Sequence, residues 1–224
     1  MQHKLSSNTL KIIAAITMFI DHMGMLLFPQ NLIFRIVGRI AFPIYAFMIA
    51  EGCKYTRNRE KYFAHLTVLA AVCQIVYFLF DGSTFMCVLV TFSLSILTIY
   101  ALDRLKAAPN GWNAAVFAAA VAGVYVLNRV LDIDYGFWGC MLPVFASFFH
   151  GTKYDDNRTH ALMLTAGLLL LCTTTSSVQI YSLMAVPLLL CYSGRRGKWK
   201  MKYFFYIFYP LHLVFLQGIS YLLQ

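Results

Sequence analysis

The stretch TLKIIAAITMFIDHMGMLLF, residues 9–28, decides the fold. Twenty helical residues rise about 30 Å, the thickness of a bilayer's hydrocarbon core, and only Lys11, Asp21 and His22 break the apolar run with ionisable groups. Eight more apolar segments follow, near residues 32–52, 62–80, 85–102, 113–128, 135–149, 160–174, 178–192 and 203–223. The 224 residues are 60% hydrophobic and 12% charged, with a mean hydropathy of +0.68. A soluble domain carries roughly 45–50% apolar and about 25% charged residues, so one small core cannot hide this much apolar surface. No low-complexity tract, Gly-X-Y period or long heptad run is present, which excludes disordered, collagen-like and coiled-coil classes. The chain therefore reads as all-α: a polytopic membrane helical bundle of about nine transmembrane helices in a single domain, residues 1–224. Segments shorter than ~20 residues are expected to be tilted, broken or deeply buried.

The net charge of +9 would suggest nucleic acid in a soluble chain. Here the basic residues sort by loop. The N-terminal tail and the even-numbered loops hold fourteen, concentrated in Lys54, Arg57, Arg59 and Lys61 and in Arg195, Arg196, Lys198, Lys200 and Lys202; the odd-numbered loops hold Arg129. By the positive-inside rule the N-terminus is cytoplasmic, and the partners expected of these charges are membrane lipids, not nucleic acid. The first apolar stretch is long, charged and without a small-residue cleavage site, so no cleavable signal peptide is expected. The six cysteines form no CxxC or zinc spacing and read as buried free thiols.

Three basic residues fall inside spans, Lys11, Arg35 and Arg39, in company with Asp21, His22, Glu51 and His212. An ionised group at mid-bilayer costs about 2.5–3.5 kcal/mol on insertion scales, so these groups are expected to pair and to line a polar cavity. Lys11 and His22 are eleven residues apart, within about 20° of one helix face and about 16 Å apart along it. That face suits a ligand that enters from the cytoplasm and places its reactive end in the membrane. Asp21 points about 100° away from His22, toward a neighbouring helix. Arg35 and Arg39 share a face one turn apart, at the depth of Asp21 across a short turn, which predicts an Asp21–Arg35 or Asp21–Arg39 pair. Pro43 is expected to kink the second span, and Glu51 lies near its inner end.

Lys54, Arg57, Arg59 and Lys61 lie just below Lys11. Their ordinary role is topogenic, but guanidinium groups also bind phosphate, so a soluble polyanion such as coenzyme A becomes plausible. His212 follows Pro210 in an apolar run with Tyr203, Tyr206 and Tyr209; helix packing is its simpler role, ligand contact the alternative. Trp112, Trp138 and Trp199 read as interfacial anchors. Gln74 and residues 135–139 could line the outer end of a pocket, with structural roles simpler. His65, His150 and His160 lack metal-ligand spacing; they receive no role, and no metal is expected.

The runs LKIIAAITMFIDHMGMLLFP, RIVGRIAFPIYAFMIAEGCKYTRNREKY and KYFFYIFYPLHLVFL resemble the TraX family of integral membrane proteins, named for a protein linked to N-terminal acetylation of conjugative pilin. The family is similar in turn to the wider transmembrane acyltransferases, in which a basic residue and a His eleven positions later mark the first helix; here those are Lys11 and His22. The resemblance implies a bacterial inner-membrane acyltransferase using acetyl-CoA, with an acyl acceptor that is a small molecule, glycan, lipid or peptide N-terminus. Lys11, Arg57 and Arg59 would hold the donor's phosphates. His22 would act as general base or covalent relay, with Asp21 beside it. Arg35, Arg39, Glu51, Tyr209 and His212 are assigned to the substrate or cavity wall. A proton-coupled transporter using Asp21, His22 and His212, or a non-catalytic membrane subunit, are the alternatives.

Overall fold

The computed structural model describes residues 5–82, 84–198 and 201–223. Lys4, Trp199 and Lys200 fall outside the described residues, as do the side chains of Lys202, Tyr203 and Tyr206. The chain forms α1 (Ser7–Leu27), α2 (Leu32–Gly38), α3 (Ala41–Tyr55), α4 (Arg59–Asp81), α5 (Val88–Ala107), α6 (Gly111–Val130), α7 (Gly136–Ser147), α8 (Asn157–Thr174), a 3-10 helix (Ser177–Met184), α9 (Ala185–Leu190) and α10 (Lys202–Leu223). No strand occurs among the described residues. Side-chain oxygens start the helices where expected: Ser6, Asn58, Asn110 and Asp156 each accept an amide of the first turn.

Every apolar segment of the sequence becomes helical, but not every one becomes a full-length span. Among the described residues five helical stretches, Ser7–Leu27, Leu32–Tyr55, Arg59–Leu79, Val88–Ala107 and Gly111–Val130, are long and apolar enough to cross a membrane. At 12 residues, α7 rises only about 18 Å. Polar Asn157, Arg158 and His160 open α8, and the eighth segment divides into the 3-10 helix and the short α9.

The second segment breaks at Arg39–Ile40, between α2 and α3. Pro43 sits in the first turn of α3, where its missing N–H removes no helical hydrogen bond. Two glycines let α2 lie close on α1. A Cβ at Gly38 would come within 2.1 Å of Asp21 Oδ1, and one at Gly24 within 2.2 Å of the Phe34 side chain.

In the interior, α3 packs against α1, α5, α7, α8 and α9. Ile44, Phe47, Ile96, Ile99, Leu142, Leu164 and Leu168 are almost wholly buried there. The exterior is apolar as well: Leu79, Val130, Leu162, Leu211 and Leu222 are all more than 60% exposed, and α6 buries only Asn113 and Val124. A chain in water would not leave so many large aliphatic side chains uncovered; a lipid environment removes that cost. The protein is an integral membrane protein.

The loops alternate between the two ends of the bundle. At the basic end Lys54 reaches Asp155, Arg59 reaches Asp103, and Lys106 caps the end of α7 by donating to the carbonyls of Ser147, Phe148 and His150 at 3.0–3.2 Å. The chain start joins them: Leu5 pairs with Tyr192, and the amides of Ser7 and Asn8 bond the carbonyls of Arg195 and Arg196. At the far end Met86 pairs with Ile133, near the α1–α2 turn. Cys53, Cys73, Cys87 and Cys140 are buried free thiols; Cys172 is partly buried and Cys191 exposed.

Candidate functional site

Two carboxylate-centred clusters occupy opposite ends of the bundle. At the far end, Asp21 of α1 is gripped by both arginines of the α2 segment. Arg35 Nη1 donates to Oδ2 at 2.8 Å, while Arg39 Nη2 donates to Oδ1 at 2.8 Å and Oδ2 at 2.9 Å. Arg39 also donates to Gln179 Oε1 at 3.3 Å and lies over the Tyr135 ring. Its Nε remains a buried donor without an acceptor. Two cations on one anion leave the cluster net positive before any neighbour is counted.

Beside it opens a cavity of about 270 Å³, lined among others by Met18, Asp21, His22, Arg35, Arg39, Asp134, Tyr135 and Tyr209. Tyr135 adopts a left-handed backbone, φ 61°, rare for a residue with a side chain, and stacks flat on Phe42 at 3.7 Å. That turn brings Asp134 to the cavity wall, where burial pushes its carboxyl up to about 7 against the pull of Arg39. Sequence spacing gave no sign of Asp134, which lies on a short loop and belongs to no helical face. Gln74, by contrast, ties the loop after α4 through Phe85 O and Cys87 N and does not line the cavity.

The imidazoles of α1 and α10 meet across the helices. His22 Nδ1 lies 2.9 Å from Met18 O and His212 Nδ1 2.9 Å from Phe208 O. A carbonyl only accepts, so each ring carries its proton on Nδ1 and its lone pair on Nε2. His212 Nε2 stands 3.4 Å from His22 Nδ1 and accepts a share of that N–H. His22 Nε2 is left as the basic nitrogen. His212 is 3% exposed and Tyr209, three residues earlier on the same face, 7%.

The remaining residues expected at the site lie elsewhere. Lys11, Arg57, Arg59 and Glu51 do not line this cavity. Its floor is Met18 and Tyr45, and toward the basic end Leu10, Ala14 and Ile44 are wholly buried. The open slot expected between Lys11 and His22 is thus closed by packed side chains. Lys11 is placed near Arg196. Arg59 is held by Asp103 at 2.8 Å and stacked over Tyr100, while Arg57 is exposed.

Glu51 belongs to the second cluster, at the basic end. It shares a buried space with His150, on the turn after α7, and His160, in the first turn of α8. His160 Nδ1 is 3.9 Å from Glu51 Oε1, and the His150 and His160 rings meet edge to face at 4.5 Å. Burial, then His160 and Lys54, push His150 down to about 3, so it is neutral. Against the upward push of burial, hydrogen bonds from Lys54 and Gly151 hold Asp155 below the usual carboxylate value. Both histidines were passed over in the sequence because a hundred residues separate them from Glu51 and no ligand spacing links them.

Comparison with known proteins supplies a family. The chain is 28% identical over 253 residues, covering 98% of it and 97% of the relative, to the probable fimbrial assembly protein FimC, serogroup H1, of Dichelobacter nodosus. An uncharacterized protein of Rickettsia prowazekii (strain Madrid E) is 53% identical over 38 residues, 17% of this chain and 15% of that one. No solved structure gives a significant match. The family model described as TraX protein matches residues 6–220, nearly the whole bundle including both clusters. The chain belongs to the TraX family.

Proposed function

We propose that the protein is a membrane acyltransferase that moves an acetyl group from acetyl-CoA to a hydroxyl or amine acceptor. The observation that carries this reading is His22: its proton is fixed on Nδ1 by Met18 O and shared with His212, and it lies at the wall of a polar cavity inside an apolar bundle. In the reaction Nε2 takes the acceptor's proton as its oxygen or nitrogen attacks the thioester carbonyl. The C–S bond breaks, and the imidazolium returns the proton to the departing thiolate. Charge develops on the carbonyl oxygen beside the net-positive Asp21–Arg35–Arg39 cluster, where the unpartnered Arg39 Nε–H is an available donor.

The basic end is the cytoplasmic side, with the nine helical segments disposed through an inner membrane. There Lys11, near Arg196, makes no ion pair with a carboxylate among the described residues, and with the more exposed Arg57 and Arg59 it receives the donor's phosphates. Donor entry moves Met18 at the cavity floor, a flexible thioether suited to repacking. The name of the Dichelobacter relative favours a pilus-subunit amine as acceptor.

Transfer of radiolabelled acetyl from acetyl-CoA by the purified protein tests this. His22→Ala is expected to lower the rate about 10²–10⁴-fold; undiminished transfer, or wild-type protein that binds no coenzyme A, refutes it. The His22–His212 contact, with Asp134 nearby, favours a second reading as a proton pathway. Proton flux into proteoliposomes without donor would select it.

A further inference from the structure

Buried polar atoms in a folded protein are paired almost without exception, so unpaired ones pointing at one space require a cause. Nε2 of His150 and Nδ1 of His160 are buried without a hydrogen-bond partner, and the buried Glu51 carboxylate beside them has the Tyr192 hydroxyl as its neighbour. The three residues are 5%, 8% and 1% exposed. They come from three parts of the chain: the last turns of α3, the α7–α8 connection and the start of α8. One ligand atom from each lies within 4.8 Å of the others.

We propose that Glu51, His150 and His160 bind one divalent cation of the zinc class and so fasten α3 to α7 and α8 at the basic end of the bundle. Two imidazoles and a carboxylate are a borderline-soft N/O donor set that suits Zn²⁺, with a water completing the tetrahedron. Metal–ligand distances near 2.0–2.1 Å put donor atoms about 3.3–3.5 Å apart, so the three side chains close on the ion by roughly an ångström. The surroundings supply the outer support such a site needs. His160 presents Nδ1 toward Glu51 and its other nitrogen, Nε2, 3.1 Å from Asp155 Oδ1. A carboxylate behind a ligating imidazole orients the ring and raises its basicity. Asp155 is itself held by Lys54 and the Gly151 amide.

The charges facing the site are Lys54 and Lys106 on one side, Asp155 and Asp156 on the other. Lys54 is neutralised by Asp155 and Lys106 pairs with Asp103, so the added charge meets no naked cation at close range. This site is independent of the acetyl-transfer reading: none of its three ligands lines the His22 cavity.

The test uses the full chain in detergent, purified without a histidine tag, stripped with a chelator and titrated with Zn²⁺. One Zn²⁺ per chain and a rise in melting temperature are expected, together with the visible d–d absorption of a tetrahedral N/O site when Co²⁺ replaces Zn²⁺. Glu51→Gln and His160→Ala should abolish stoichiometric binding. Asp155→Asn should weaken it about 10–100-fold, and His65→Ala, at an exposed position, should leave it unchanged. If His160→Ala fails to fold, the wild-type Co²⁺ spectrum and Glu51→Gln decide. Folded wild-type protein that takes up no Zn²⁺ at saturation, or binding indifferent to Glu51→Gln, overturns the proposal and leaves a buried water as the partner of these atoms.

Discussion

The two clusters start from the same ingredient, a buried carboxylate, and complete it in opposite ways. Asp21 has both oxygens hydrogen-bonded to guanidinium groups, whereas Glu51, as deeply buried, meets no guanidinium and has the Tyr192 hydroxyl beside it. The first pairing is local. Arg35 and Arg39 lie 14 and 18 residues from Asp21, across one tight turn. The second draws on His150 and His160, about a hundred residues away. A closed ion cluster fixes the shape and charge of a cavity; an open set of donors calls for something else to complete it.

Breaking the closed cluster should have the largest effect on the fold. Asp21→Asn leaves two arginines without their counter-charge inside the bundle and is expected to cost about 3–5 kcal/mol, read as a lower melting temperature in detergent. The matching change in the other cluster, Glu51→Gln, should leave the metal-free protein's melting temperature nearly unchanged, because the amide oxygen still accepts from the Tyr192 hydroxyl. Next comes Gly38→Ala. Its Cβ would meet the Asp21 carboxylate at 2.1 Å, so α2 must shift and the ion cluster with it, at about 1–3 kcal/mol.

A pH series sharpens the electrostatics of the same end. Asp134 holds its proton more tightly in the folded chain, to about 7, than a carboxyl does at its ordinary 3.8. The folded state then binds more protons than the unfolded one, and this group's contribution to stability is present at low pH and lost as pH rises from about 4 through 7. In Asp134→Asn the melting temperature should fall less between pH 5 and pH 8 than in the wild type. The smallest effect belongs to Arg59→Ala: its pair with Asp103 is half exposed, so the expected loss is about 0–1 kcal/mol.

What the sequence disclosed follows the range of each interaction. The Asp21–Arg pairing was legible because helical spacing and a short turn determine depth and face together, and both arginines turn out to share the carboxylate. The gathering of basic loops at one end was legible because they alternate along the chain. Neither Asp134 nor the left-handed Tyr135 turn leaves a periodic trace. The fate of Arg59 depends on Asp103, 44 residues on, and the closed floor under the cavity depends on how Leu10, Ala14 and Ile44 fit one another. Hydropathy marks segments as apolar, but it does not say that α7 is too short to cross alone.

The meeting of His22 with His212 spans 190 residues, and the chain start is clasped by residues 191–196. A ribosome must therefore release almost the entire polypeptide before the first helix can find its final neighbour. Until then α1 waits in the membrane with its imidazole and carboxylate already inserted, so a truncated product lacking only the last helix should be without an assembled pocket.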